Sequence, residues 1–220
     1  MTPPVDSTTE QARGGSNRQR RQEQILAKAV LLFAQYGYGV DTQFLAEQLQ
    51  VGKGTLYRYF SSKEELFLAA VDYGMRKLHE QLMAYIAGVE DPFEQIRQGV
   101  RAYLAFFAEH PEYVELLIQE RALFKDRRKP TYLQHREDKV ERWRDLYRSM
   151  MAQDCLRVMP AERISNVMSN LLYGTMCTNY FAYQKADFEA QTLEILDVMF
   201  FGILSDSERQ ARQTAGAGRG

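Results

Sequence analysis

Residues 41–60 read DTQFLAEQLQVGKGTLYRYF, and SSKEEL follows at once. The stretch reads as two short helices around a tight turn. In the second of them Leu56 and Phe60 stand four residues apart and share a face, which must meet Leu45, Leu49 and Val51. Gly54 and Arg58 then point the opposite way, with Thr55 and Tyr57 on the flanks. A helix buried on all sides would not spend Lys53, Gly54, Thr55, Arg58 and two tyrosines in seven positions. A bare glycine lets the backbone approach a partner closely, while Arg58 and Tyr57 reach for base edges or phosphates. Ala46 sits where the two helices cross, and a bulkier residue there would push them apart. Lys53 and Lys63 place positive charge at either end, and the N-terminus of the next helix offers free amides for a phosphate. This is the pattern of a helix laid against DNA.

The run Tyr36-Gly37, Asp41-Thr42, Leu45-Ala46, Val51, Lys53-Gly54-Thr55-Leu56-Tyr57, Tyr59-Phe60, Lys63-Glu64-Glu65-Leu66 resembles the tetracycline-repressor (TetR) family of transcriptional regulators. The resemblance covers roughly residues 20–68. It implies DNA contacts at Thr42, Gln43, Lys53, Gly54, Thr55, Tyr57, Arg58, Tyr59 and Lys63, with Tyr59 open between a phosphate contact and packing beneath the motif. Two positions depart from the family pattern. That pattern usually has alanine-glycine in the turn and a serine capping the third helix, where this chain has Leu49-Gln50 and Gly52. Gln50 must therefore fit a turn that favours glycine, and Gly52 caps without a side-chain oxygen.

Outward from this segment, the chain of 220 residues is long enough for a small head and a larger body. Residues 18–64 carry seven Lys/Arg against four acids, a balance of +3. Residues 65–220 carry 20 basic and 23 acidic residues, a balance of −3. That asymmetry has the sign of a DNA-binding head on a near-neutral body. An all-α fold of about nine helices is expected, with four regions: a disordered tail over 1–17, a helix-turn-helix DNA-binding domain over 18–64, a helical ligand-binding and dimerisation domain over 65–205, and a disordered tail over 206–220. The first helix should run from about Arg20 to Tyr36 and stop at Gly37. Ser61-x-x-Glu64 and Ser62-x-x-Glu65 both match a capping box for the fourth, and Asp91-Pro92-x-Glu94 opens the fifth. Further helices are expected over 112–124, 132–154, 160–184 and 187–204.

The last two predicted helices are rich in apolar residues, the final one over most of its circumference. Such a helix must be covered on both sides. A second copy of the chain is the expected cover, through Met168, Leu171, Thr175, Leu196, Met199 and Phe200, with Gly174 permitting a close crossing. The family resemblance also implies a homodimer, whose paired recognition helices would read a palindromic operator of double-stranded DNA with half-sites ~34 Å apart or more. Aromatic residues crowd the body, and Phe107, Trp143, Tyr147 and Tyr180 are the candidates for lining a cavity for a hydrophobic or aromatic effector. Arg121, Arg127 and Arg128 are expected to form a solvated face and loop.

Catalytic and cofactor chemistry finds little to stand on. His79, His110 and His135 are scattered without metal-ligand spacing, so no metal site is expected. GKGT at 52–55 lacks the lead of a phosphate-binding loop. Cys155 and Cys177 are too far apart for a CxxC site. No enzyme activity and no cofactor are expected. With no membrane-length apolar run and no signal-peptide layout, a cytoplasmic location is expected.

Overall fold

The computed structural model describes the backbone of residues 7–182 and 187–203, and side chains from residue 18 onward within them. The expected tail at 206–220 lies outside the described residues. Ten helices are present in that range and no strand: α1 (Ser7–Tyr36), α2 (Thr42–Gln48), α3 (Lys53–Tyr59), α4 (Lys63–Ile86), α5 (Pro92–Glu109), α6 (Pro111–Leu123), α7 (Thr131–Lys139), α8 (Glu141–Ala152), α9 (Ala161–Ala182) and α10 (Phe188–Phe201). The all-α architecture is the one expected, with two local differences.

First, α1 begins at Ser7, inside the stretch 1–17 expected to be a disordered tail. No proline interrupts the chain between Ser7 and Tyr36. Adding a turn to an existing helix costs far less than starting one, so Gly14-Gly15 is not enough to stop it. Second, the helix expected over 132–154 is two helices meeting at Val140. The Val140 carbonyl accepts from both Trp143 N (3.0 Å) and Arg144 N (3.1 Å), a tightened turn at the junction.

The helix starts follow their caps. Asp41 accepts from the amides of Gln43 (2.7 Å) and Phe44 (3.1 Å). Ser62 caps α4 by accepting from Glu65 N at 3.0 Å, while the Glu65 carboxylate reaches back to Ser61 N at 2.7 Å. The return arm of the box is thus displaced by one residue. Those Ser61 hydrogen bonds hold the Glu65 carboxyl below its ordinary range. Asp91 caps α5 ahead of Pro92.

Head and body share one core. Leu45, Ala46, Leu49, Leu56 and Phe60 are buried with Ile25, Leu26, Ala29, Val30 and Phe33 of α1 and with Leu66 and Phe67 of α4. Burying each large side chain of this kind is worth roughly 1.5–3 kcal/mol. Phe33 meets Phe67 edge-on at 5.1 Å, and Tyr38 reaches Phe124 of the body at 5.5 Å. Gln119 on α6 donates to the Phe33 carbonyl at 3.0 Å. The expected domain boundary at 64/65 falls within α4, a helix that packs on both parts.

Candidate nucleic-acid interface and body cavity

In the head, Leu56 and Phe60 are buried, whereas Lys53, Gly54, Tyr57 and Arg58 are exposed. Thr42 and Thr55 are half-buried, and Gln43 is exposed with its amide on Glu47 Oε1 at 2.9 Å. A Cβ built on Gly54 would meet nothing within 4 Å, so no internal contact requires a glycine there.

Two candidates are engaged within the protein. Lys63 turns inward: its Nζ donates to the Val40 carbonyl at 2.5 Å and lies 4.8 Å from the Tyr38 ring centroid. It ties the start of α4 to the loop before α2. Tyr59 is half-buried against Phe60, with the Arg18 guanidinium 5.7 Å above its ring. The turn departure at Gln50 takes a left-handed conformation, φ +56°. Its carbonyl accepts from Arg21 (3.3 Å) and its side-chain oxygen from Lys28 (3.3 Å), two partners on α1 that reading 41–60 alone did not supply.

In the body a cavity of about 140 Å³ opens between α4, α5, α7, α8 and α9. Its floor is apolar, from Met75, Leu78, Leu82, Ile96, Val100 and Leu172. Trp143 and Tyr147, two of the four aromatic candidates, line it. Phe107 does not: it is buried among Tyr103 (5.0 Å) and Phe106 (5.2 Å). Nor does Tyr180, whose hydroxyl donates to Glu115 Oε2 at 2.6 Å. Side-chain type alone could not separate core aromatics from wall aromatics. Tyr103 and Tyr132 take their place, their hydroxyls 2.9 Å apart. Burial pushes the Tyr132 and Tyr147 hydroxyls up to about 12, so both remain protonated donors at neutral pH. Trp143 reaches the wall because Gly99 leaves room. A Cβ at Gly99 would stand 2.5 Å from the indole Cη2.

The polar side of the cavity carries His79, His135, Arg136 and Lys139, which an aromatic-centred reading passes over. His135 Nε2 lies 2.7 Å from Asp72 Oδ1, and Asp72 also pairs with Arg76 at 3.1 Å. The hydrogen bond from His135 holds the Asp72 carboxyl below its ordinary range against the opposing effect of burial, with Arg76 adding to it. His79 is pushed down by burial, then by the neighbouring Lys139, His135 and Arg142. Arg127 is in the loop as expected but is not a solvated cation. It pairs with Glu120, 1% exposed, whose carboxylate also accepts from Thr131 N (3.0 Å) and Oγ1 (2.7 Å) and so pins the loop before α7.

Of the residues expected to face a second copy, Met168 (6% exposed) and Leu196 (7% exposed) turn inward, Met168 into the cavity wall. Leu171 is exposed, Thr175, Met199 and Phe200 are half-buried, and Phe200 packs on Phe93 at 5.4 Å. The open apolar face of α9 runs through Val167, Leu171, Gly174 and Phe181, with Leu193, Val198 and Phe201 exposed on α10. Nothing lies within 4 Å of a Cβ at Gly174. Among the described residues no group of three or more His, Cys, Asp or Glu could hold a metal ion. No described helix is long and apolar enough to cross a membrane.

This geometry accords with the proteins the chain resembles. The family model for bacterial regulatory proteins of the tetR family matches residues 25–70, and that for the tetracyclin repressor-like C-terminal domain matches 89–176. An HTH-type transcriptional regulator of Bacillus subtilis, YerO, is 30% identical over 105 residues, 46% of this chain. That alignment spans 36% of the relative's own length. Among solved structures, the fatty acid degradation regulator FadR from Bacillus halodurans shares the fold, with a TM-score of 0.70 at 15% identity over 82% of this chain and 94% of that one. FadR from Bacillus subtilis in complex with stearoyl-CoA gives 0.68 at 17% identity over 82% and 98%.

Proposed function

The chain belongs to the TetR family of DNA-binding transcriptional regulators, and from that premise we propose a homodimeric repressor released from a palindromic operator by a small ligand in the body cavity. The observation that carries this reading is α3 itself. It buries Leu56 and Phe60 while leaving Lys53, Gly54, Tyr57 and Arg58 to solvent on one short helix. On this reading Tyr57 and Arg58 touch bases or phosphates, and Thr42, Gln43, Lys53 and Thr55 touch the backbone of the same groove. Lys63 and Tyr59 support the head from within. Arg18, on Tyr59, extends the basic surface beside α3.

The ligand reading is supported by the position of the cavity, whose wall includes α4, the helix that also carries the head. A ligand changes DNA binding only to the extent that it binds one state of α4 better than the other. The acyl-CoA seen in the Bacillus subtilis FadR complex suggests an apolar body with a polar head as the ligand to test first. Pairing of two chains through the open faces of α9 and α10 would set the spacing of the two recognition helices.

The test is binding to the DNA upstream of the protein's own gene, followed by anisotropy over a range of salt. Specific, salt-dependent binding is expected, and Tyr57→Ala and Arg58→Ala should each weaken it by ~1–3 kcal/mol. Unchanged affinity in both variants would mean that α3 does not read the DNA.

A further inference from the structure

We propose that the body cavity takes a small amphipathic anion, with an apolar ring or short chain on the floor and an acid oxygen held by His135, Arg136 and Lys139. This rests on the reading of the cavity as the effector site and adds the chemistry of the effector.

The charge of the wall excludes the opposite class. His79, His135, Arg136 and Lys139 line the cavity, and among the described residues no Asp or Glu does. A cationic ligand would find four repelling or neutral groups and no counter-charge. Arg136 and Lys139 are also uncommitted. Arg136 donates to the neutral Asn170 Oδ1 at 3.2 Å, and neither side chain is in an ion pair with a described carboxylate. The lowered protonation of His79, owed first to burial and next to Lys139, His135 and Arg142, reports the same positive surroundings.

His135 adds a specific need. Its Nε2 is engaged by Asp72, and its Nδ1 is buried with no partner, one of two such side-chain atoms among the described residues. A buried ring nitrogen left unmet is costly, and a small turn of the ring toward a ligand oxygen in the cavity it lines would remove the cost. The volume matches a small apolar group. About 140 Å³ is close to the ~150 Å³ of an apolar cavity that holds a benzene ring, so one ring or roughly six carbons fits without opening the wall.

The same contact gives occupancy a route to the head. His135 on α7 holds Asp72 on α4, and Asp72 holds Arg76 one turn on. An anion that draws the His135 ring toward itself shifts the partner that fixes this part of α4. The first residue of that helix, Lys63, grips the Val40 carbonyl beside α2.

Trp143 is the sole tryptophan of the chain and lines the cavity, so its fluorescence reports binding directly. The full chain is titrated with hexanoate and benzoate, and in parallel with the uncharged hexanamide and benzamide. At least one acid is expected to bind about tenfold more tightly than its amide, the margin of a charge-assisted over a neutral hydrogen bond. Arg136→Gln with Lys139→Gln should shrink that preference while leaving the weak amide binding in place. Hexanoyl-CoA separates the source of the anionic oxygens. Binding tighter than hexanoate and lost in the double variant assigns them to the phosphates of a larger head, and supports the proposal equally. Amides binding as well as the acids would overturn the anion assignment and leave the effector site standing. If none of the five compounds perturbs Trp143, the cavity is a packing void and both readings fall. The acid-to-amide ratio on the unaltered protein decides the matter even where the double variant does not fold.

Discussion

Gln50 holds a backbone conformation that L side chains avoid, φ +56°, at the turn between α2 and α3. The left-handed region costs a non-glycine residue about 1–2 kcal/mol. Here the carbonyl is held by Arg21 and the side chain by Lys28, both exposed bonds of 3.3 Å. Gln50→Gly keeps the carbonyl bond and loses only the side-chain one, worth a few tenths of a kcal/mol. It should stabilise the protein by about 0.5–1 kcal/mol net, read as a higher denaturant midpoint with an unchanged slope. Gly54 gives the opposite lesson. Its Cβ position is empty, so Gly54→Ala should add about 0.5–1 kcal/mol to α3 through helix propensity. If α3 reads the DNA as proposed, the same methyl would stand between the backbone and the groove, so operator affinity should fall while the melting temperature rises. A variant that gains stability and keeps its affinity would remove Gly54 from the interface. The sequence marks both residues because each breaks or serves a local rule within ten residues. It could not show Arg21 and Lys28 closing on Gln50, since that contact depends on how α1 lies across the turn.

Legibility at the element scale follows the range of the forces involved. The starts of α2, α4 and α5 are set by Asp41, Ser62 and Asp91, whose side chains cap the next turn, and such signals are written in four consecutive residues. The junction at Val140 and the Gly99–Trp143 contact are not written locally. Periodicity continues through Val140, and Gly99 becomes necessary only when α8 lies against α5. Gly74 is a second case, since a Cβ there would stand 2.2 Å from Tyr113 Cδ1. Between α4 and α7 the Asp72–His135 bond carries a pH signature. The folded-state pKa of Asp72 is lowered, chiefly by His135. The bond therefore contributes stability above the unfolded carboxyl value of about 3.9 and loses it as pH falls through the lower folded value. Asp72→Asn should melt below the unaltered protein at pH 7, and the gap should narrow as pH falls below the unfolded carboxyl value of about 3.9. A gap that persists unchanged at pH 3 would point to lost packing and not to the charge.

At the scale of the whole molecule the unresolved balance is the apolar surface of α9 and α10. Helical spacing correctly announces apolar residues there, but it cannot say which of two apolar faces turns inward when both are long enough to do so. Met168 and Leu196 turn to the core, and the face left open carries Leu193 at 54% and Phe181 at 62% exposure, with Val167 and Leu171 also exposed. Open apolar stripes of this kind mark surfaces that meet a partner. Gly174 lies on the stripe, three residues from Leu171 and seven from Phe181, with nothing within 4 Å of its Cβ position. Internal packing gives no reason for a glycine there, and a glycine in a helix interior costs about 1 kcal/mol relative to alanine. A second copy crossing closely at that point supplies the reason. Gly174→Leu separates the two accounts, because within one chain it meets only solvent and raises helix propensity. If two chains pair across Gly174, the variant should keep or raise its melting temperature at low concentration and sediment as a monomer. Its operator binding should weaken as well, because two half-sites held by separate chains lose the gain in effective concentration that a dimer provides. A variant that still sediments as a dimer and still binds the operator would place the contact between copies elsewhere on the molecule.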